Sequence, residues 1–461
     1  MSSIKWNLQI NSFFRNGFLF IILLFINLLS KGLFLLNSEL FLDSDQAITL
    51  LMSRRILEMK EFPFFFWGQN YMGMAEVWFS LPFQFFLGKT IESFIFSQIF
   101  LFTLITYYLF LIFYKEGKKT FAYLVSLFFS IGHPFLNSHI TNVCENFTFS
   151  IFCGLSGFYF IEKFNLEEKK ISPYIFFFGI LSGFSFYNRE ILFLILPWVF
   201  VIWFKNYKLF FQKLPILFLG ILIGYIPAIL HYLTNPYYKK LINPKIVWNI
   251  NFENSYQFLK NSFWNPILTS GEIGYSISLL LFSFLGICFF IKEKDNLLKK
   301  QINYFFLGTF SSFIVILLSS GYNTERYYFF QTIFSIFFSA YFFYSILGFL
   351  QGKFRVGKFL EIILISFFCF ISIYNLFYQW QSRFNLLEKK NPLKNIAEYL
   401  KENSNYFGIS EYWVAYPTAY FSEDQIHNLI YLDKQSDLYS VKKVLENRAG
   451  FFLFKKNSNF E

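Results

Sequence analysis

The 461-residue chain is 55% hydrophobic and only 15% charged, with 74 Phe and 30 Tyr, and apolar runs of roughly 18 or more residues, enough to cross about 30 Å of hydrocarbon as helix, recur along most of it. This excludes an ordinary soluble enzyme and predicts an all-α polytopic membrane protein. The net charge of +11 does not indicate nucleic acid, because Lys and Arg sit in short connections between apolar runs, the orienting pattern of membrane proteins.

The four cysteines, Cys144, Cys153, Cys288 and Cys369, have no CxxC spacing and indicate neither a zinc site nor a disulfide framework. Phe, Ile, Asn and Lys are all abundant while Ala is scarce. That joint bias reflects an AT-rich genome rather than an aromatic-binding device.

In chain order, residues 1–16 carry Lys5 and Arg15 without an acid, which places the amino terminus in the cytoplasm. The run 17–36 is too long for a signal-peptide core and is read as a retained first span. It delivers the loop 37–90, which holds Asp43 and Asp45, to the outer face. Ile48, Leu51, Met52, Ile56 and Met59 then recur at helical spacing among charged residues, predicting a helix over 46–60 that lies on the membrane surface.

Segment 75–88 is apolar but short and contains Glu76, Pro82 and Gln84. Loop charge decides its placement. The basic connections are Lys115–Lys119, Lys163–Lys170, Lys205–Lys213, Lys292–Lys300 and Lys353–Lys358. All fall inside only if 75–88 does not cross, so it is read as interfacial or re-entrant. Spans are expected near 17–36, 91–113, 119–132, 147–162, 174–187, 191–204, 214–233, 274–291, 302–319, 326–348 and 358–380. These make about eleven crossings, with the carboxyl terminus outside.

From about 381 the composition turns mixed. A helix is expected over 391–403 with Pro392 near its start. β-like runs follow at 428–432 and 450–454, with a helix near 437–448 between them. The domain division is therefore 1–380 in the membrane and a small extracytoplasmic α/β cap over 381–461. A cap of that size needs support, and the long outer loop 234–273 is the expected surface. No fixed-period repeat is present, which weakens a solenoid or inverted-repeat transporter.

This topology gathers Asp43, Asp45, Glu76, His133, His139, Glu145, Arg189, Glu190, Glu325 and Arg326 at the outer face. Ionisable groups at the bilayer are costly and mark function, although loop ends are where such charges are cheapest. A carboxylate there can act as general base toward an acceptor hydroxyl or amine. The Asp43-x-Asp45 pair can instead hold a divalent cation, Mg or Mn, or Asp45 can simply cap the following helix. Glu76 is a candidate second acid.

Arg189 and Arg326 each open an apolar run and suit either a lipid phosphate or a snorkelling role. His133 and His139 lack metal-site spacing, and Asn146-Phe147-Thr148 is an isolated sequon. Walker A, GxSxG, GxGxxG and protein-kinase signatures are absent from the sequence, which argues against an ATP-driven pump or soluble-type hydrolase.

The order of Asp45-Gln46-Ala47, a helix, Gly68-Gln69-Asn70-Tyr71-Met72-Gly73, Glu76 and Phe86-Leu87-Gly88 resembles the multi-pass, lipid-phosphate-sugar-dependent glycosyltransferases of the GT-C fold. These include protein O-mannosyltransferases and the aminoarabinose transferase of lipid A. "YNREILFLILPW" around Arg189 and Glu325-Arg326-Tyr327 agree more weakly.

The resemblance implies Asp45 as the catalytic base, with Asp43 or Glu76 assisting. It implies Arg326 and Arg189 at a donor phosphate, and Gln69, Tyr71 and Tyr327 around the cavity. The family often has Asp-Glu where this chain has Asp45-Gln46, which leaves open whether Asp43 supplies a second carboxylate and whether a cation is used.

The implied partners are a polyprenyl-phosphate-sugar donor, membrane lipid and an extracytoplasmic lipid, glycan or protein acceptor, in a bacterial inner membrane. A flippase of lipid-linked sugars and a non-catalytic envelope scaffold are the alternatives. Charges concentrated at one face rather than along a path favour the enzyme.

Overall fold

The computed structural model describes residues 2–67, 72–115, 117–142, 147–166, 173–188, 208, 211–234, 273–291, 329–353, 384–430, 438–447 and 450–453, with isolated positions between 363 and 381. The expected spans 191–204 and 302–319, and most of 358–380, lie outside these residues.

Helix α1, Ser2–Lys31, ends in two 3-10 turns, Gly32–Leu35 and Ser38–Phe41, with Asn37 at φ 51° between them. Asn tolerates that left-handed conformation better than most residues. There follow α2 (Ser44–Leu57), α3 (Ala75–Leu87), α4 (Ile91–Lys115), α5 (Lys119–Ile131), α6 (Pro134–Thr141), α7 (Phe147–Leu166) and α8 (Pro173–Asn188). Next come α9 (Phe211–Gly224), α10 (Ile226–Thr234), α11 (Ile273–Ile291) and α12 (Phe329–Lys353).

Among the described residues, Gly17–Leu35, Ile91–Tyr114 and Thr332–Phe349 are each long and apolar enough to cross a membrane. The span expected at 214–233 is instead α9 and α10, bent by 57°. Pro227 accounts for the break, since it lacks an N–H and its ring excludes a regular turn before it. Segment 75–88 forms α3, whose 13 residues amount to about 20 Å of helix, less than the hydrocarbon thickness.

The membrane core is aromatic. Phe113 and Phe121 pack edge to face at 4.8 Å, and Phe121 meets Phe337 at 5.5 Å, joining α4, α5 and α12.

Helices α8 and α9 meet through two matched glycine pairs, Gly179/Gly183 and Gly220/Gly224. A Cβ on Gly183 would strike the Ile221 carbonyl, and one on Gly220 the Phe176 carbonyl. Small residues four apart let helix backbones touch where no water drives association. This seam fixes the carboxyl end of α8, on which Gly73, Met74 and Ala75 rest.

The carboxy-terminal region is an α/β cap of α13 (Pro392–Glu402), β1 (Phe407–Ser410), α14 (Tyr412–Phe421), β2 (His427–Ile430), α15 (Leu438–Asn447) and β3 (Phe451–Leu453). Asn391 caps α13, its side chain accepting from Leu393 N–H at 3.0 Å, with Pro392 at the first turn. The strands form a parallel sheet in the order β2-β1-β3. Strand β1 is not evident in the sequence, because Gly408 breaks its alternation. That glycine is needed: a Cβ there would run into the Phe451 ring.

Helix α2 departs from expectation. Its residues from Ala47 to Ile56 are all buried, so it is not a surface helix with one open face. Ala47, Ile48, Leu51 and Met52 share a core with Ala415, Tyr416 and Ala419 of α14. The cap thus sits on α2, whereas the support expected for it was loop 234–273. Residues 235–272 of that loop lie outside the described set.

Gly183→Leu should lower the thermal-unfolding midpoint of the detergent-solubilised protein or abolish folded yield, with overpacking costing about 1–3 kcal/mol or more. Phe177→Leu, at a 45% exposed position on the same helix, should leave the midpoint within a degree or two.

Candidate active site

Which of the two aspartates caps α2 is settled by geometry. Asp43 has extended backbone angles, and its Oδ1 accepts the Gln46 N–H at 2.8 Å. The capping role left open for Asp45 therefore belongs to Asp43. Asp45 stands in the first turn of the helix, half-buried, with its carboxylate outside the helix's own hydrogen bonds. Its Oδ1 accepts the hydroxyl hydrogen of Tyr412, a residue 367 positions away in the cap. Ser44 Oγ donates to the Tyr412 carbonyl at 2.6 Å, closing a second bond between the same two helix starts.

Tyr412 directly follows β1, separated from it only by Glu411. The carboxyl ends of parallel strands are where α/β sheets present functional loops. Here that edge faces Asp45.

The cap is held in place by a buried ion pair. Arg55 is 0% exposed and grips Asp424 twice, Nε to Oδ2 at 2.9 Å and a terminal nitrogen to Oδ1 at 2.8 Å. Such bidentate geometry is the strongest form of this contact. Asp424 sits at φ 64° in the turn after α14. The guanidinium also lies 4.6 Å from the Trp67 ring centre and donates to Ser440 Oγ at 3.3 Å. Beyond it, Lys394 pairs with Glu39 at 2.7 Å, and Asn37 donates to the Lys389 carbonyl at 2.9 Å.

Glu76 is 2% exposed, and its Oε1 accepts the Phe149 N–H at 3.1 Å in the first turn of α7. A carboxylate is stabilised at a helix amino terminus. This places Glu76 as a brace of α7 rather than as an open second acid. Gln46 donates to Asn142 Oδ1 at 3.3 Å. The residue after Asp45 thus holds Asn142, and Glu76 holds the start of α7.

The residues on the carboxyl side of the Phe65–Gly73 bridge rest on the end of α8. Gly73 N–H donates to the Asn188 carbonyl at 3.0 Å, Ala75 N–H to Asn188 Oδ1 at 3.2 Å and Met74 N–H to Tyr187 Oη at 3.2 Å. A Cβ on Gly73 would come within 2.8 Å of Asn188 Cα, so only glycine fits.

Gln69, Tyr71, Arg189, Arg326 and Tyr327 lie outside the described residues, as do Glu145, Glu190 and Glu325. One Asp43 oxygen holds the α2 amino terminus, and one Asp45 oxygen accepts from Tyr412. No group of three or more His, Cys, Asp or Glu side chains converges among the described residues, His133 and His139 included.

Sequence reasoning missed Tyr412, Arg55 and Asp424. The one available signal was the adjacent pair Arg54-Arg55 in an amphipathic stretch, more positive charge than a short helix needs.

No protein-family profile matches the chain, nor does any curated protein. Its backbone matches solved structures of the GT-C glycosyltransferase fold. One is the archaeal oligosaccharyltransferase AglB from Archaeoglobus fulgidus in complex with an inhibitory peptide and a dolichol-phosphate. It has a TM-score of 0.55 and 10% identity over 93% of this chain and 65% of that one. Another is an Archaeoglobus fulgidus oligosaccharyltransferase in complex with Zn and sulfate, with a TM-score of 0.53 and 12% identity over 91% and 62%. The chain thus spans less than two thirds of the length of either protein. At such identity the likeness establishes the fold.

Arg55→Ala should cost about 3–5 kcal/mol by leaving the buried Asp424 without its two-pronged contact, with Lys60 at 4.0 Å a weaker substitute. Limited proteolysis should then cut the cap at protease concentrations that spare the wild type. Arg55→Lys should restore only part of the resistance, since an ammonium cannot make the two-pronged contact.

Proposed function

We propose that this chain is an integral membrane glycosyltransferase that moves a sugar from a polyprenyl-phosphate donor to an acceptor on the extracytoplasmic side. The observation that carries the reading is the division of labour at α2 in a GT-C fold: Asp43 caps the helix, which leaves the half-buried Asp45 carboxylate available for chemistry. That the AglB structure was solved with a dolichol-phosphate and a peptide supports a lipid-linked donor.

In this reading Asp45 takes the proton from an acceptor hydroxyl or amine as that atom bonds to the anomeric carbon. The bond from the anomeric carbon to the phosphate oxygen breaks, and its electron pair leaves with the polyprenyl phosphate. Arg326 and Arg189 neutralise the departing phosphate, the planar guanidinium being suited to two of its oxygens. Gln69, Tyr71 and Tyr327 border the cavity. Loop charge favours the amino terminus in the cytoplasm and the catalytic loop and cap outside, and the biased composition and the family resemblance favour a bacterial inner membrane.

The test is sugar transfer in membranes supplied with radiolabelled polyprenyl-phosphate sugars. Asp45→Asn should lose about 10²–10⁴-fold in rate at matched expression. Asp43→Asn should stay within a few-fold of wild type, since Asn caps a helix as well as Asp does. Equal transfer by the wild type and Asp45→Asn, or transfer by neither, would sink the assignment and favour a transporter or scaffold.

A further inference from the structure

We infer that Tyr412 is the positioning residue of the base, so that the cap must be docked on α2 for Asp45 to be set for proton transfer. This rests on the glycosyltransferase reading above and adds to it a residue and a role for the cap.

The Tyr412 hydroxyl is the side-chain partner of Asp45 among the described residues, and it binds one carboxylate oxygen only. An ionised carboxylate has about four acceptor sites, so this contact fixes the rotation of the group and leaves the second oxygen to meet an acceptor. A half-buried aspartate without such a tether samples several orientations, and a base must be held in line with the proton it removes.

The tyrosine is itself held firmly. Its carbonyl is bound by Ser44 Oγ at 2.6 Å, and its ring meets Trp413 at 5.1 Å and Tyr416 at 5.6 Å, both edge to face. Tyr416 in turn lies 6.0 Å from Trp67, and Trp67 carries the Arg55 guanidinium at 4.6 Å. A continuous chain of packed side chains thus runs from the buried Arg55–Asp424 pair to the carboxylate of Asp45. Both ends bridge α2 and the cap. The part of the protein that sets the base is therefore encoded more than 350 residues after it.

The experiment compares wild type, Tyr412→Phe, Tyr412→Ala and Asp45→Asn as full-length proteins in membranes. Tyr412→Phe keeps the ring and its packing but removes the hydroxyl. It should lower kcat by about 10- to 100-fold, the range expected for one hydrogen bond to a charged group. KM for the donor and the thermal midpoint should stay unchanged. Tyr412→Ala should lose both activity and cap protection from protease. A purely structural tyrosine would be rescued by Phe, so wild-type kcat in Tyr412→Phe alongside an inactive Asp45→Asn overturns the inference.

A second measurement does not depend on turnover. A fluorinated tyrosine at position 412 should shift its fluorine resonance when Asp45→Asn is introduced, and no shift would also overturn the proposal. Activity retained in Asp45→Asn would instead remove the glycosyltransferase assignment of Asp45, an outcome distinct from either of these.

Discussion

The Arg55–Asp424 pair is the contact on which the outer half of this protein depends. Two ions taken out of water need close opposite charge. Although Glu61 lies 3.8 Å from Arg55 and Lys60 4.0 Å from Asp424, the bidentate contact between Arg55 and Asp424 is the shortest and most buried of these. That contact is made only when α2 and the turn after α14 lie side by side. The geometry is more exacting than apolar packing, which tolerates sliding. Apolar contact between the two helices, Ala47 and Ile48 against Ala415 and Ala419, supplies area; the ion pair supplies register. With that register set, Tyr412 arrives over Asp45 and Ser44.

The same principle, that buried polar groups must find partners, organises the layers below. Lys31, at the end of α1, is 0% exposed, yet its Nζ donates to Ser30 Oγ at 3.1 Å and to the Ser130 carbonyl at 2.8 Å. Ser30 Oγ reaches that same carbonyl at 2.7 Å. The last carbonyls of α5 lack partners within their own helix, and these two side chains supply them. On α3, Ser80 and Gln84 are buried and bonded to each other at 2.8 Å, while Phe85 and Phe86 are exposed. The helix thus keeps its polar side toward protein and its aromatic side outward, as an apolar surrounding requires.

Much of the architecture was legible because it depends on short-range pattern. Apolar runs located α1, α4, α7, α8 and α12. The Asn391-Pro392 start located α13, and β-like runs located β2 and β3 to within two residues. Where reading stopped, the cause can be named in each case. Pro227 divides a run that composition alone marks as continuous. Strand β1 is four residues long and carries a glycine that exists to receive Phe451. Helix α2 has the amphipathic spacing of a membrane-surface helix, and spacing does not reveal that a distant domain covers its polar side.

The sequence by itself determined that this is a membrane protein with an α/β region at its carboxyl end and an acidic pair just after its first apolar helix. Those features follow from hydrophobicity and helix signals, which act over a few turns of chain. Only the tertiary structure decided that Asp43 is the helix cap and that Glu76 braces α7. It likewise decided that the cap docks on α2 and that Asp45 takes its hydrogen bond from Tyr412. Each of these is a choice between chemically equivalent partners, two aspartates or many tyrosines, and it is made by which backbone the folded chain brings within about 3 Å.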